Sequence, residues 1–173
     1  MATDASTLDR LREAVGAVCD PELPPLTLVD LGILRSVSAE DDGTVVVTVT
    51  PTYSGCPAVE YIEAEIARVL EDNGCDRYRV ERSFTPAWST DWMTDAGRHK
   101  LTELGIAPPG PVGGEVGGPV AVTLGRRAAA PAVSCPQCGS SDTEEVSRFG
   151  STACKALYRC RACAEPFDHF KAI

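Results

Sequence analysis

The stretch "TVVVTVTPTYSGCPAVEYIEAEIARVLEDNG", residues 44–74, decides the fold. Residues 44–50 are β-branched throughout and read as a strand. Pro57 opens a helix, since proline suits the first helical position. Val59, Ile62, Ile66, Val69 and Leu70 then line one helical face, and Asn73-Gly74 closes it. At the strand-to-helix junction stands Cys56, with no second cysteine at metal-pair spacing.

Working outward, Leu8, Leu11, Val15 and Val18 recur at helical spacing, with Ser6 or Thr7 as N-cap. Pro21, Pro24 and Pro25 in "DPELPP" cannot continue that helix. "LGILRSV" reads as a strand, and the Asp-Gly pair in "DDGT", residues 41–44, as a hairpin turn. "RYRVERSF" is a third strand, and a short helix near 93–104 ends at Gly105. The order α-β-β-α-β-α is that of an α/β (α+β) fold, a small mixed β-sheet with packed helices.

On this reading Pro57 places Cys56 at the helix N-cap. There the unpaired N–H groups and the helix dipole favour an anion, so the sulfur is expected as a thiolate of lowered pKa, a nucleophile and metal ligand. Gly55 leaves the loop open, and Tyr53 and Ser54 offer hydroxyls. The competing reading is a buried cysteine acting as a small hydrophobe. The loop "DPELPPLTLVDLG" carries Asp20, Glu22 and Asp30 as acceptors or metal ligands beside Cys56, although Asp-Pro and Asp-Leu-Gly are also common turn and cap residues.

The stretch 107–134 holds six glycines and five prolines and reads as a linker, with a short strand at "PVAVTL" embedded in it. It separates a module of residues 1–106 from a tail of residues 135–173. In the tail, Cys135 and Cys138 pair with Cys160 and Cys163 as Cys-x2-Cys…Cys-x2-Cys, the spacing of a tetrahedral Zn2+ site in a four-cysteine zinc ribbon. "TEEVSRFG" and "KALYR" supply two or three short strands. A segment this small cannot fold on apolar burial alone, so the metal is structural. The same four thiolates also suit iron or an iron–sulfur centre. Cys154 is an extra thiol that packs in the ribbon, replaces a ligand or receives a cluster. His169 competes as a ligand, although four cysteines complete a site. Cys19 and Cys75 read as core or turn residues, and His99 receives no chemistry.

Charge narrows the partners. Residues 1–106 carry 19 acidic and 9 basic side chains, residues 107–134 carry 1 and 2, and residues 135–173 carry 5 and 5. No basic face for nucleic acid is apparent, which points to protein partners. No apolar run spans a bilayer, and "MATDASTLDR" has the character of neither a signal nor a transit peptide. The expectation is a cytoplasmic chain whose eight cysteines serve metal or redox chemistry rather than disulfides. There is no phosphate-binding Gly-x4-Gly-Lys motif, no Glu-x-x-His pair for a di-iron site, and little support for a Cys/His catalytic pair with two histidines. Trp88 and Trp92 in "PAWSTDWM" either form an interaction surface or cover a sheet edge or core.

"DPELPPLTLVDLGI", "TPTYSGCP" and "PAWSTDWMTDAGRHKLTELGIAPP" together resemble the SufT-type iron–sulfur assembly domain. With the tail, notably "FGSTACKALYRC" and "EPFDHFK", nearly the whole chain resembles the PaaD (PaaJ) family of phenylacetyl-CoA epoxygenase systems. The resemblance implies an accessory, maturation role without a catalytic activity of its own. Its clients would be the oxygenase and reductase subunits of a phenylacetyl-CoA 1,2-epoxidase, a monooxygenase. The family's reactive cysteine maps onto Cys56, which would hold or hand over iron or a cluster. The remaining ligands would come from a second protomer in a homodimer, a small thiol or the client. The alternative is a structural adaptor of the oxygenase complex without cluster transfer.

Overall fold

The computed structural model describes residues 5–53, 55–112 and 132–173. The chain divides into two compact units, the first ending at Leu101 and the second spanning Thr102–Ile173.

The first unit holds α1 (Ala5–Gly16), β1 (Leu34–Ala39), β2 (Val45–Val49), α2 (Ala58–Asp72) and β3 (Tyr78–Arg82), then a 3₁₀ turn at Thr90–Trp92. Next comes α3 (Asp95–Glu103), whose last two residues fall in the second unit. The sheet order is β1-β2-β3. β1 and β2 form an antiparallel hairpin, whose turn uses Gly43 at φ +83°, a conformation open to glycine without a Cβ clash. β3 is parallel to β2, which requires a crossover, and α2 supplies it. This is the mixed sheet with packed helices that the sequence predicts.

β2 is the central strand, which explains its unbroken Val/Thr composition. Val47 is fully buried, opposite Val37 on one side and Val80 on the other. α2 buries Ala58, Val59, Ile62, Ile66 and Leu70, while Val69 is half-buried. Truncating fully buried Ile66 to alanine costs about 2–5 kcal/mol by the usual large-to-small scale. The helix ends as Asn73-Gly74 predicts. Gly74 takes φ +74°, its N–H donates to the Glu71 carbonyl at 2.9 Å, and Cys75 N–H donates to the Leu70 carbonyl at 2.9 Å.

In the second unit β4 (Thr143–Ser147), β5 (Lys155–Cys160) and β6 (Pro166–Phe170) form an antiparallel sheet in that order. The sequence places strands between the cysteine pairs; β6 follows the second pair. Its first residue is proline, which an edge strand tolerates because no ladder N–H is needed there. Ala107, the first residue of the Gly/Pro-rich stretch, bridges to His169. Its N–H donates to the Asp168 carbonyl at 2.8 Å and its carbonyl accepts from Phe170 N–H at 2.9 Å. The strand read at "PVAVTL" lies outside the described residues. The core of this unit is Ala107, Cys135, Ala156, Tyr158, Cys160 and Phe167, with Val133 packed against it. No helix among the described residues is long and apolar enough to cross a membrane.

Candidate functional site

The four ribbon cysteines converge. The sulfurs of Cys135, Cys138, Cys160 and Cys163 all lie within 4.8 Å of one another. Cys135 Sγ is 3.8 Å from Cys163 Sγ, and Cys138 Sγ is 3.6 Å from Cys160 Sγ. Zinc–thiolate bonds of about 2.3 Å in a tetrahedron give sulfur–sulfur edges of about 3.8 Å, so the four sulfurs fit a single tetrahedral ion. Each knuckle also offers N–H groups to sulfur: Ser140 to Cys138, Cys163 and Ala162 to Cys160, Glu165 to Cys163. The Cys163 N–H, above all, holds the Cys160 thiol down to about 7, whereas Cys163, despite the Glu165 N–H, is pushed up by burial and the neighbouring thiols. The group is a metal-binding one by its donor set and geometry.

Neither extra candidate joins it. Cys154 is buried, with Sγ 3.0 Å from Thr152 Oγ1. The His169 ring packs edge-on against Tyr158 at 5.2 Å, and burial lowers its pKa.

Cys56 lies in the loop that joins β2, which ends at Val49, to α2. α2 begins at Ala58, and Pro57, already at helical dihedrals (φ −69°, ψ −23°), takes the cap position without a side-chain cap bond, so Cys56 stands one residue before the cap expected of it. The sulfur faces a crevice of about 20 Å³ lined by Asp20, Ile33, Val49, Pro51, Thr52, Val59 and Ile62. Its charge state differs from expectation. Burial pushes the Cys56 thiol up; N–H of Ala58 and the side chain of Thr52 pull it down, and the negative charges of Asp20 and Glu22 raise it further. The helix terminus does donate to sulfur, but desolvation in an apolar crevice outweighs it. Cys56 is therefore a protonated thiol at neutral pH, not the lowered-pKa thiolate.

The loop carboxylates separate. Asp20 is 9% exposed and lines the crevice, its Oδ1 accepting N–H of Glu22 at 2.8 Å and of Leu23 at 3.1 Å. Glu22 acts on Cys56 through its charge but does not line the crevice. Asp30 is not part of that lining either. Its Oδ2 accepts from Thr27 N–H at 3.0 Å and from Lys100 Nζ at 2.5 Å, and its Oδ1 from the Thr94 hydroxyl at 3.3 Å. Burial works to raise its pKa, but Lys100 and the Thr27 donors outweigh it and hold the carboxyl below the usual range. The structure thus brings Asp20 to Cys56 and commits Asp30 to packing.

Against known proteins, the family model for "Iron-sulfur cluster assembly protein" matches residues 8–75, and that for "PaaD zinc beta ribbon domain" matches residues 119–171. A protein of Escherichia coli K12, provisionally named as a component of 1,2-phenylacetyl-CoA epoxidase, is 46% identical over 154 residues, 89% of this chain and 86% of its own length. The chain belongs to the PaaD family.

Other relatives match about half of this PaaD-family chain over nearly all of their own length. The Fe-S protein maturation auxiliary factor SufT of Staphylococcus aureus is 32% identical, covering 52% of this chain and 99% of its own. A solved DUF59 domain from Bacillus anthracis is 29% identical, with TM-score 0.52, covering 57% of this chain and 94% of its own. Both Cys56 and Asp20 fall inside the assembly match, and all four clustered cysteines inside the PaaD ribbon match.

Thr52 also belongs to this site, since its hydroxyl reaches the Cys56 sulfur. Its position four residues before the cysteine was the available signal. Ser54 lies outside the described residues. Cys19 is exposed and Cys75 half-buried; their thiols donate to the carbonyls of Ala17 and Arg77, each at 3.6 Å. Trp88 is buried and donates to the Leu31 carbonyl at 2.9 Å, so it is a core residue and not an interaction surface. Trp92 is half-buried, with Arg35 Cζ 3.9 Å over its ring.

Proposed function

We propose that this chain is a maturation factor for a multicomponent phenylacetyl-CoA epoxygenase, delivering iron or an iron–sulfur cluster to its oxygenase or reductase through Cys56. The observation that carries this reading is the placement of the Cys56 sulfur. It stands in the loop between the central strand and α2, beside a crevice that Asp20 also lines, inside the assembly-family part of the chain. The epoxidase name of the Escherichia coli relative supports the client; the maturation-factor names of the shorter relatives support the role.

A protonated, half-buried thiol suits transfer. Metal must displace the proton to bind, so retention is weaker than at a free thiolate and the cargo can leave. The remaining ligands come from a second copy, a small thiol or the client. The ribbon cysteines Cys135, Cys138, Cys160 and Cys163 hold a structural Zn2+, which stabilises a unit whose apolar core is small. The net negative first module supports protein rather than nucleic-acid partners.

Exposed apolar side chains favour a second reading. Phe149 is 69% and Val146 57% exposed on the second unit, as a docking adaptor without metal transfer requires. Cells lacking the chromosomal copy, complemented with wild type or Cys56→Ser, separate the two. Transfer predicts loss of phenylacetyl-CoA epoxidation in the Cys56→Ser extracts; the adaptor predicts normal turnover there and loss with Phe149→Asp.

A further inference from the structure

We infer that the ribbon cysteines form a reversible redox switch: hydrogen peroxide closes disulfides across the two knuckles, Cys138 to Cys160 and Cys135 to Cys163, and the site gives up its ion without the ribbon coming apart. This rests on the ribbon zinc proposed above and not on Cys56.

Accessibility is the first argument. The four sulfurs are not equivalent. Cys138 and Cys163 are exposed, one on each knuckle, whereas Cys135 and Cys160 are 2% and 0% exposed. An oxidant arriving from solvent therefore meets Cys138 or Cys163 first.

Proximity is the second. Each exposed sulfur has a buried sulfur of the opposite knuckle beside it. Cys138 Sγ lies 3.6 Å from Cys160 Sγ, and Cys163 Sγ lies 3.8 Å from Cys135 Sγ. A disulfide bond is about 2 Å long, so closure asks the sulfurs to approach by less than about 2 Å. The buried sulfur thereby stands as the resolving thiolate.

The chemistry balances without a further reactant. The exposed thiolate attacks one peroxide oxygen, the O–O bond breaks, hydroxide leaves and the sulfur becomes a sulfenic acid. The buried thiolate attacks that sulfur, the S–O bond breaks, and a second hydroxide leaves as the disulfide forms. Each hydroxide takes a proton from solvent. Two thiolates lose one electron each, and the peroxide is reduced to two waters. The thiolate is the metal ligand and the disulfide is not, so the site keeps two of its four donors and releases Zn2+. Reduction by a dithiol restores all four thiolates.

The new bond also replaces the ion as a tie. A Cys138–Cys160 link closes a loop that contains β4 and β5, which restrains the unfolded chain. A link inside either Cys-x2-Cys pair would leave the two knuckles untied.

The test uses the full chain, reduced and loaded with Zn2+, exposed to hydrogen peroxide at pH 7. Released zinc is read with a chromogenic chelator, disulfides by mapping unreduced peptides after thiol blocking, and folding by limited proteolysis. The chain should lose about one zinc. Cross-knuckle peptides should exceed Cys135–Cys138 and Cys160–Cys163 links at least about fivefold, and the second unit should still resist protease. Within-knuckle disulfides as the main product, zinc retained after the exposed Cys19 is oxidised, or a protease-sensitive second unit each overturn the proposal. Those results leave the ribbon zinc standing; a reduced chain that binds no zinc overturns that reading and this one together.

Discussion

Lys100 Nζ lies 2.5 Å from Asp30 Oδ2 and ties α3 to the loop that leads into β1. The same loop is locked by shape. A Cβ at Gly97 would stand 2.6 Å from the Asp30 carbonyl oxygen, and one at Gly32 2.5 Å from the Trp92 carbonyl oxygen. Thr94 completes the joint: its hydroxyl donates to Asp30 Oδ1 and accepts the Gly97 N–H at 3.0 Å, capping α3. Two distant stretches, "DLG" and "WMTDAGRHK", are thereby one packed unit.

Asp30→Asn should therefore cost stability, not metal. Removing the charge that pairs with a one-third-exposed Lys100 costs about 1–3 kcal/mol at pH 7, the upper end being reduced by screening. The folded carboxyl titrates below the ordinary value, so its contribution is full above about pH 4, the unfolded range, and is lost as pH falls through the lower folded value. Urea unfolding at pH 7 and pH 3 should show the gap between wild type and Asp30→Asn shrinking at the lower pH. A gap of equal size at both would mean the pairing is not the source.

Gly97→Ala sets two effects against each other. Alanine gains about 1 kcal/mol of helix propensity over glycine. The added Cβ meets backbone that cannot swing aside, and overpacking costs about 1–3 kcal/mol. Strain should win, lowering the thermal midpoint, whereas a raised midpoint would show that α3 shifts freely.

Much of this was legible in the chain because the signals are local. The β-branched run 44–50, the helical face from Val59 to Leu70 and the paired cysteines each declare themselves within a few residues. What the sequence could not fix depends on distant neighbours. Whether Asp30 is ligand or pin is decided by Lys100, seventy positions away. The Cys56 pKa follows the same rule: helix-terminus donation is visible in Cys-Pro, but burial and the approach of Asp20 and Glu22 are tertiary and prevail. β6 was missed because "PFDHF" opens with proline and shows no strict alternation; pairing with β5 makes it a strand.

Cys138→Ala should release the ribbon metal, since it removes a sulfur that sits 3.6 Å from Cys160 Sγ in a tetrahedral set. Metal analysis should find about one zinc fewer per chain, and limited proteolysis should cut the second unit while the first stays protected. Retained zinc with a protected second unit would contradict a ribbon held by this ion.

Cys56 should alkylate slowly at pH 7 and about tenfold faster for each pH unit while the thiol remains protonated. Asp20→Asn removes a like charge that raises the thiol, so its rate at pH 7 should rise. Peptide mapping after timed iodoacetamide exposure reads this directly. A wild-type rate already flat between pH 6 and 8 would restore the thiolate.

The most direct measurement is the iron and acid-labile sulfide content of the oxygenase and reductase subunits co-expressed with wild type or Cys56→Ser. Serine is close in size and a good residue at a helix start, so the fold and the ribbon zinc should be unchanged. If Cys56 hands over the metal, client iron falls with Cys56→Ser and stays normal with Cys19→Ser and Cys75→Ser. Client subunits fully loaded beside Cys56→Ser would contradict transfer through this residue and leave the docking adaptor as the function.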